Sequence, residues 1–122
     1  MKRLTTSVIL VLAFVTLSAQ DISGTWSGAL SFPDRTGQNI ELRFNFNITK
    51  TEDGYTTTMD SPDQNAFGLP VDETVFNKPE ITIKASTYNL EYAGKLVDET
   101  SINGTLTQHG QSLELNLKLK TE

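Results

Sequence analysis

Ile40-Glu41-Leu42-Arg43-Phe44-Asn45-Phe46-Asn47-Ile48 alternates apolar and polar side chains without a break. Successive side chains of an extended chain point to opposite faces. The run is therefore a β-strand with Ile40, Leu42, Phe44, Phe46 and Ile48 turned to a core and Glu41, Arg43, Asn45 and Asn47 turned away.

Working outward, the same alternation recurs in both directions. Upstream, Trp26, Leu30 and Phe32 oppose Thr25, Ser27 and Ser31, and Pro33-Asp34-Arg35-Thr36-Gly37 supplies the turn between the two strands. Downstream, Asp53-Gly54 suits the positive φ angles of a tight hairpin, and Tyr55, Thr57 and Met59 share the next inward face. The stretch Asp60-Ser61-Pro62-Asp63-Gln64-Asn65-Ala66-Phe67-Gly68-Leu69-Pro70 then breaks the pattern. Beyond it Val71, Val75 and Phe76 do not share one parity, which predicts a bulge or break near Asp72-Glu73. Ile81, Ile83 and Ala85 mark a further strand, and Tyr88, Leu90, Tyr92 and Leu96 another, with Gly94 at an inward position open to a close neighbour. Ile102, Gly104 and Leu106 continue the series, His109-Gly110 turns, and Leu113, Leu115, Leu117 and Leu119 close it.

After residue 20 no segment carries a 3.6-residue apolar period. About eight short strands joined mostly by tight turns predict an all-β domain. Each strand has one polar face, so a single layer must curl around its apolar side or pair with a second layer. A small antiparallel up-and-down barrel of lipocalin-like form also removes exposed edges and is the expected architecture, with a β-sandwich as the alternative.

Lys2 and Arg3 precede an apolar run from Val8 to Leu17 and then Ser18-Ala19-Gln20. These are the parts of a secretory signal, and the run is shorter than the roughly 20 residues that span a bilayer. Residues 1–20 are thus expected to be a cleaved signal and residues 21–122 a single exported domain, periplasmic or extracellular, with no stable membrane anchor. Removing Lys2 and Arg3 from ten basic residues leaves eight against fifteen acidic ones, a formal charge of −7. Such a surface repels phosphate backbones, so nucleic acid is not an expected partner. The chain has no cysteine. That excludes disulfides, thiol catalysis and thiolate metal sites, and export without disulfides suits a bacterial envelope.

Candidate chemistry is sparse. His109 is the only histidine, and a turn position followed by glycine is ordinarily solvated. Ser61 has no Gly-x-Ser-x-Gly elbow around it, so no catalytic residue is assigned. Asp60, Asp63, Asp72 and Glu73 cluster by the interrupted stretch, but without the spacing of a calcium loop, and they read first as a solvated acidic loop. No metal or cofactor is expected. Asp60 and Ser61 before Pro62 also make a rigid turn, since short polar side chains bond nearby backbone and proline fixes φ. Trp26, Phe44, Phe46, Tyr55, Tyr88 and Tyr92 are candidates to line a cavity for a small apolar ligand, although a barrel of this size can be filled by its own side chains.

Several of these stretches together resemble one known module. Ile22-Ser23-Gly24-Thr25-Trp26-Ser27-Gly28, Thr58-Met59-Asp60-Ser61-Pro62-Asp63-Gln64 with Gly68-x-Pro70-Val71, Tyr92-x-Gly94, and Ile102-x-Gly104-Thr105 with Gln108-x-Gly110-Gln111-Ser112-Leu113 are similar to the β-rich N-terminal domain of exported Bacteroidetes α/β-hydrolases of the esterase and dienelactone-hydrolase-like kind. Asp60-Ser61-Pro62-Asp63-Gln64 is the most specific part. The resemblance implies a non-catalytic accessory module that docks on or caps a hydrolase domain or another protein, free-standing or as the N-terminal piece of an esterase. None of the matching positions is catalytic in that family. Leu106 stands where the family often has Trp, and Asn65 and Phe67 where it often has small or charged residues. The expected docking loop is Asp60, Ser61, Pro62, Asp63, Gln64 and exposed Phe67. A lipocalin-like carrier of a small apolar molecule is the competing expectation.

Overall fold

The computed structural model describes residues 21–120. The expected signal peptide lies outside these residues. The described chain is all-β, with ten strands: β1 (Gly24–Pro33), β2 (Asn39–Lys50), β3 (Tyr55–Ser61), β4 (Ala66–Pro70), β5 (Glu73–Asn77), β6 (Glu80–Ala85), β7 (Leu90–Asp98), β8 (Ser101–Gln108), β9 (Gln111–Glu114) and β10 (Leu117–Leu119). Two single-turn 3-10 segments, Pro62–Gln64 and Ser86–Tyr88, form corners between β3 and β4 and between β6 and β7. Tyr88 therefore belongs to a corner, not to the strand that its spacing from Leu90 suggested.

All strands lie in one antiparallel sheet ordered β4-β3-β2-β1-β10-β8-β7-β6-β5, with β9 also on β8. Neighbours in the sheet are neighbours in the chain except where β1 meets β10 and where β10 continues on β8 the run that β9 begins, so the path is an up-and-down meander. The expected eight strands correspond to eight runs of chain, two of them broken once. Val71-Asp72 separates β4 from β5, and Leu115-Asn116 separates β9 from β10. β2, which holds the Ile40–Ile48 alternation, pairs along its length with β1, from Gly24↔Ile48 to Pro33↔Asn39.

The sheet wraps around its apolar face. β2 and β7 are four places apart in strand order, about 19 Å at the usual spacing in a flat sheet. Yet the Phe46 and Tyr92 rings lie 5.4 Å apart. Trp26, Phe46, Met59, Ile81, Ile83, Tyr92, Ile102, Leu115 and Leu117 are all buried between the two halves.

The backbone ladder is not closed into the expected barrel. β4 pairs with β3 and β5 with β6, but β3 and β5 meet only through side chains. The Thr57 and Thr74 hydroxyls share a 2.8 Å hydrogen bond, and the Tyr55 and Phe76 rings meet edge-on. The physical reason is the break at Val71-Asp72. The Asp72 N–H bonds the Lys84 carbonyl, so the run leaves β3 and commits to β6 at that point.

The second break has a different cause. A regular ladder would have the Gly104 N–H donate to the Leu115 carbonyl. Instead the buried Tyr92 hydroxyl donates to that carbonyl at 2.8 Å, and the Asn116 side chain accepts from the Gly104 N–H at 3.3 Å. Tyr92 can lie there because its ring rests on the cross-strand pair Gly94↔Gly104. A Cβ on Gly104 would stand 2.5 Å from the Tyr92 oxygen. The inward Gly94 thus accepts a ring, as its position in the sequence predicted.

Candidate functional site

The interrupted stretch Asp60 to Pro70 folds as a corner with a bulge. β3 and β4 pair at Met59↔Leu69 and again at Ser61↔Ala66. Between these pairs β3 has one residue, Asp60, and β4 has two, Phe67 and Gly68. Gly68 sits at φ +64, a backbone conformation that glycine adopts without strain. The extra residue turns Phe67 away from the core, and its side chain is 62% exposed. The sequence signal for this bulge was Gly68 itself; the irregularity at Asp72 is the separate break already described.

The Asp60, Ser61, Asp63 and Gln64 side chains of the corner are all committed. Asp60 Oδ1 accepts the Gly68 N–H at 2.9 Å, and Oδ2 accepts the Asn47 amide at 3.1 Å. Ser61 is buried and donates its hydroxyl to Gln64 Oε1 at 2.6 Å. Asp63 reaches back to β2, taking the Arg43 N–H at 2.9 Å and the Arg43 guanidinium at 2.7 Å. Pro62 opens the 3-10 turn, and Asn65 closes it at φ 56, ψ 39, with its N–H on the Pro62 carbonyl. Asp60 belongs to a wider outward network. Ser27 bonds Asn45, Thr25 bonds Asn47, and Asn47 bonds both Thr58 and Asp60. Arg43 and Asn47, which the sequence reading passed over as ordinary outward strand residues, are the anchors of the corner.

The electrostatics follow from these bonds. Burial opposes the charge on Asp60, but the Gly68 N–H, the Asn47 and Asn45 amides and the Lys120 charge together hold its carboxyl below the usual range. Arg43 holds Asp63 down by side-chain and backbone hydrogen bonds. Both are charged acceptors at neutral pH, the wrong state for a general acid. Ser61 has no base beside it. His109 lies in a turn at φ 51, and its ring meets Asn89 at 3.3 Å. Among the described residues, no three His, Asp or Glu side chains converge as metal ligands. None of the helical turns there is long and apolar enough to cross a membrane.

The β6–β7 corner repeats the geometry. Ala85 and Ser61, the residues before the two 3-10 turns, have φ/ψ of −124/85 and −124/82, and Asn89 at 55/46 matches Asn65. Here, by contrast, an aspartate from outside fixes the turn: Asp72 accepts the Ser86 N–H and hydroxyl, each at 2.7 Å. The Ser86 N–H, then its hydroxyl, lower the Asp72 carboxyl. The sequence gives little sign of this second corner, because Ser-Thr-Tyr-Asn lacks the proline that marks the first.

Of the six candidate cavity aromatics, Trp26, Phe44, Phe46 and Tyr92 are buried, whereas Tyr55 and Tyr88 are half-buried. The buried rings pack on one another: Phe44 on Phe46 at 6.1 Å and Phe46 on Tyr92 at 5.4 Å. Trp26 Nε1 donates to the Ile22 carbonyl at 2.9 Å. Burial pushes the Tyr92 phenol well above its usual range, so it stays a neutral donor. Every buried side-chain nitrogen and oxygen among the described residues has a partner.

No protein-family model, curated protein or solved structure matches the chain in comparisons with known proteins.

Proposed function

We propose that this chain is a non-catalytic exported β-domain that docks on a partner protein through the Asp60–Phe67 corner. The observation that carries this reading is Phe67: a large apolar side chain in solvent on a corner whose Asp60, Ser61, Asp63 and Gln64 side chains are fixed by internal hydrogen bonds. Such a corner is preorganised, so docking costs little ordering entropy, and an aromatic anchor is a common centre of binding energy. The resemblance to hydrolase-associated domains supplies the partner class, an esterase-type α/β-hydrolase domain, and the leader-like N-terminus supplies export.

Calorimetric titration of the chain with an exported α/β-hydrolase domain of that kind tests the reading. Binding by the wild type and a loss of at least about tenfold in affinity for Phe67→Ser, some 1.4 kcal/mol, is the expected pair of results. Equal affinity of the variant, or no binding by the wild type, overturns it. Hydrolysis of any ester that is altered by Asp60→Asn, Asp63→Asn or His109→Ala would overturn the non-catalytic part.

A further inference from the structure

The sheet forks where β1 parts from its neighbour on the side away from β2. β1 pairs with β10 at Trp26↔Leu119 and Ser27↔Lys118, and no further. At Gly28 the two chains still touch, since a Cβ there would run into the Asn116 carbonyl. Beyond it the pairing stops, and an open cleft of about 210 Å³ lies between them, lined by Ala29, Ser31, Glu114 and Asn116.

Both walls of the fork are strand edges with unpaired backbone. The Lys120 N–H donates to the Thr25 carbonyl, so odd-numbered β1 residues direct their peptide groups to this side. By alternation, Ala29 and Ser31 present N–H and C=O groups to the cleft. Opposite, the Leu115 N–H bonds Gly104 on β8, so Ser112 and Glu114 direct theirs toward β1. The flanking inward side chains, Phe32 and Leu113, are only half-buried. On the outer face Glu114 is exposed on one wall; on the other Glu41 stands beside Ser31, while Arg43, beside Ala29, is held by Asp63.

We propose that this fork accepts an extended segment of a partner protein with alternating apolar and basic side chains. The guest runs antiparallel to β1. It takes the free N–H and C=O groups of Ala29 and Ser31, sets apolar side chains over Phe32 and Leu113, and places a lysine or arginine between Glu114 and Glu41. Main-chain bonds supply affinity and the alternate side chains supply selectivity, as in other additions of a strand to a free edge. The surface is separate from the Phe67 corner and does not depend on it.

The probe is a capped octapeptide alternating valine and lysine, added to the full mature chain at millimolar concentration, with amide hydrogen exchange read by NMR. The Ala29, Ser31 and Glu114 amides are expected to slow by about tenfold once the peptide stands at ten times its dissociation constant. Ser31→Pro removes an outward N–H without touching the β1–β2 ladder and is expected to abolish the protection. Glu114→Lys, at an exposed residue whose carboxylate also accepts the Asn116 amide at 3.1 Å, is expected to weaken binding of the lysine peptide while the Tm and the remaining amide signals show the fold retained. Phe67→Ser is expected to leave protection unchanged, which separates this surface from the docking corner. Unaltered exchange in the wild type, equal protection by a valine–glutamate peptide, equal binding by Glu114→Lys, or protection of these amides through self-association would each overturn the proposal.

Discussion

Asp60→Ala removes the carboxylate that holds the β4 bulge in place. The two bonds at stake are those from the Gly68 N–H at 2.9 Å and the Asn47 amide at 3.1 Å. Hydrogen bonds to a charged group contribute about 1.5–3 kcal/mol when buried, but this site is open enough for water to replace part of each, so about 2 kcal/mol in total is the expected loss. In a domain of roughly 100 residues that lowers Tm by about 10 °C. The effect also depends on pH. Because Asp60 has its carboxyl lowered in the fold, it stabilises above the ordinary carboxylate range, and that stabilisation is lost as pH falls through the folded value. The gap in Tm between wild type and variant should therefore be full at pH 7 and shrink well below pH 4. Calorimetry at both pH values, with the Gly68 amide followed by NMR, provides the assay. An unchanged Tm together with an unmoved Gly68 amide would refute the assignment of Asp60 as the residue that shapes this corner.

Other changes probe the rest of the account. Gly104→Ala drives a methyl into the Tyr92 ring and the Ala93 carbonyl, so a loss of about 1–3 kcal/mol is expected in chemical denaturation. Adding Tyr92→Phe should recover part of that loss, because it removes the oxygen nearest the new methyl. Arg43→Ala is expected to shift Tm only slightly, since the pair is solvent-screened and Asp63 keeps the backbone N–H of residue 43. Asp21, Asp34, Asp63, Asp72 and Asp98 also have lowered carboxyls. In the window between those folded values and the ordinary one the unfolded chain binds more protons, so stability should fall with pH there, as an acid titration by circular dichroism will show.

The strands were legible because period-2 alternation is a local signal. Ile40 to Ile48 fixes the inward face of β2, and the Leu113 to Leu119 series marks the last run. The parity lost between Val71 and Phe76 announced the break near Asp72, but sheet closure was not legible, since it depends on the run changing partner there, and the bond from the Asp72 N–H to Lys84 has no local signature. Within the corner, Pro62 and Gly68 announced a turn and an exceptional backbone, but the roles of Asp60 and Asp63 required their partners on β2. Asn47 and Asp60, like Arg43 and Asp63, are far apart in the chain, and only the register of β2 on β3 brings each pair together. Tyr92 and Leu115 are a similar case: the break at Leu115-Asn116 comes from a ring two strands away.

The central claim is that the Asp60 corner is a fixed frame displaying Phe67 to a partner. Fluorophenylalanine placed at position 67, observed by ¹⁹F NMR while an exported α/β-hydrolase domain is titrated in, tests it most directly. The resonance is predicted to have a solvent-exposed shift in the free chain and to move or broaden saturably on binding, while signals from fluorinated Phe44 and Phe46 stay in place. A Phe67 resonance that remains unmoved while the hydrolase domain binds, or one already shielded in the free chain, would contradict the account.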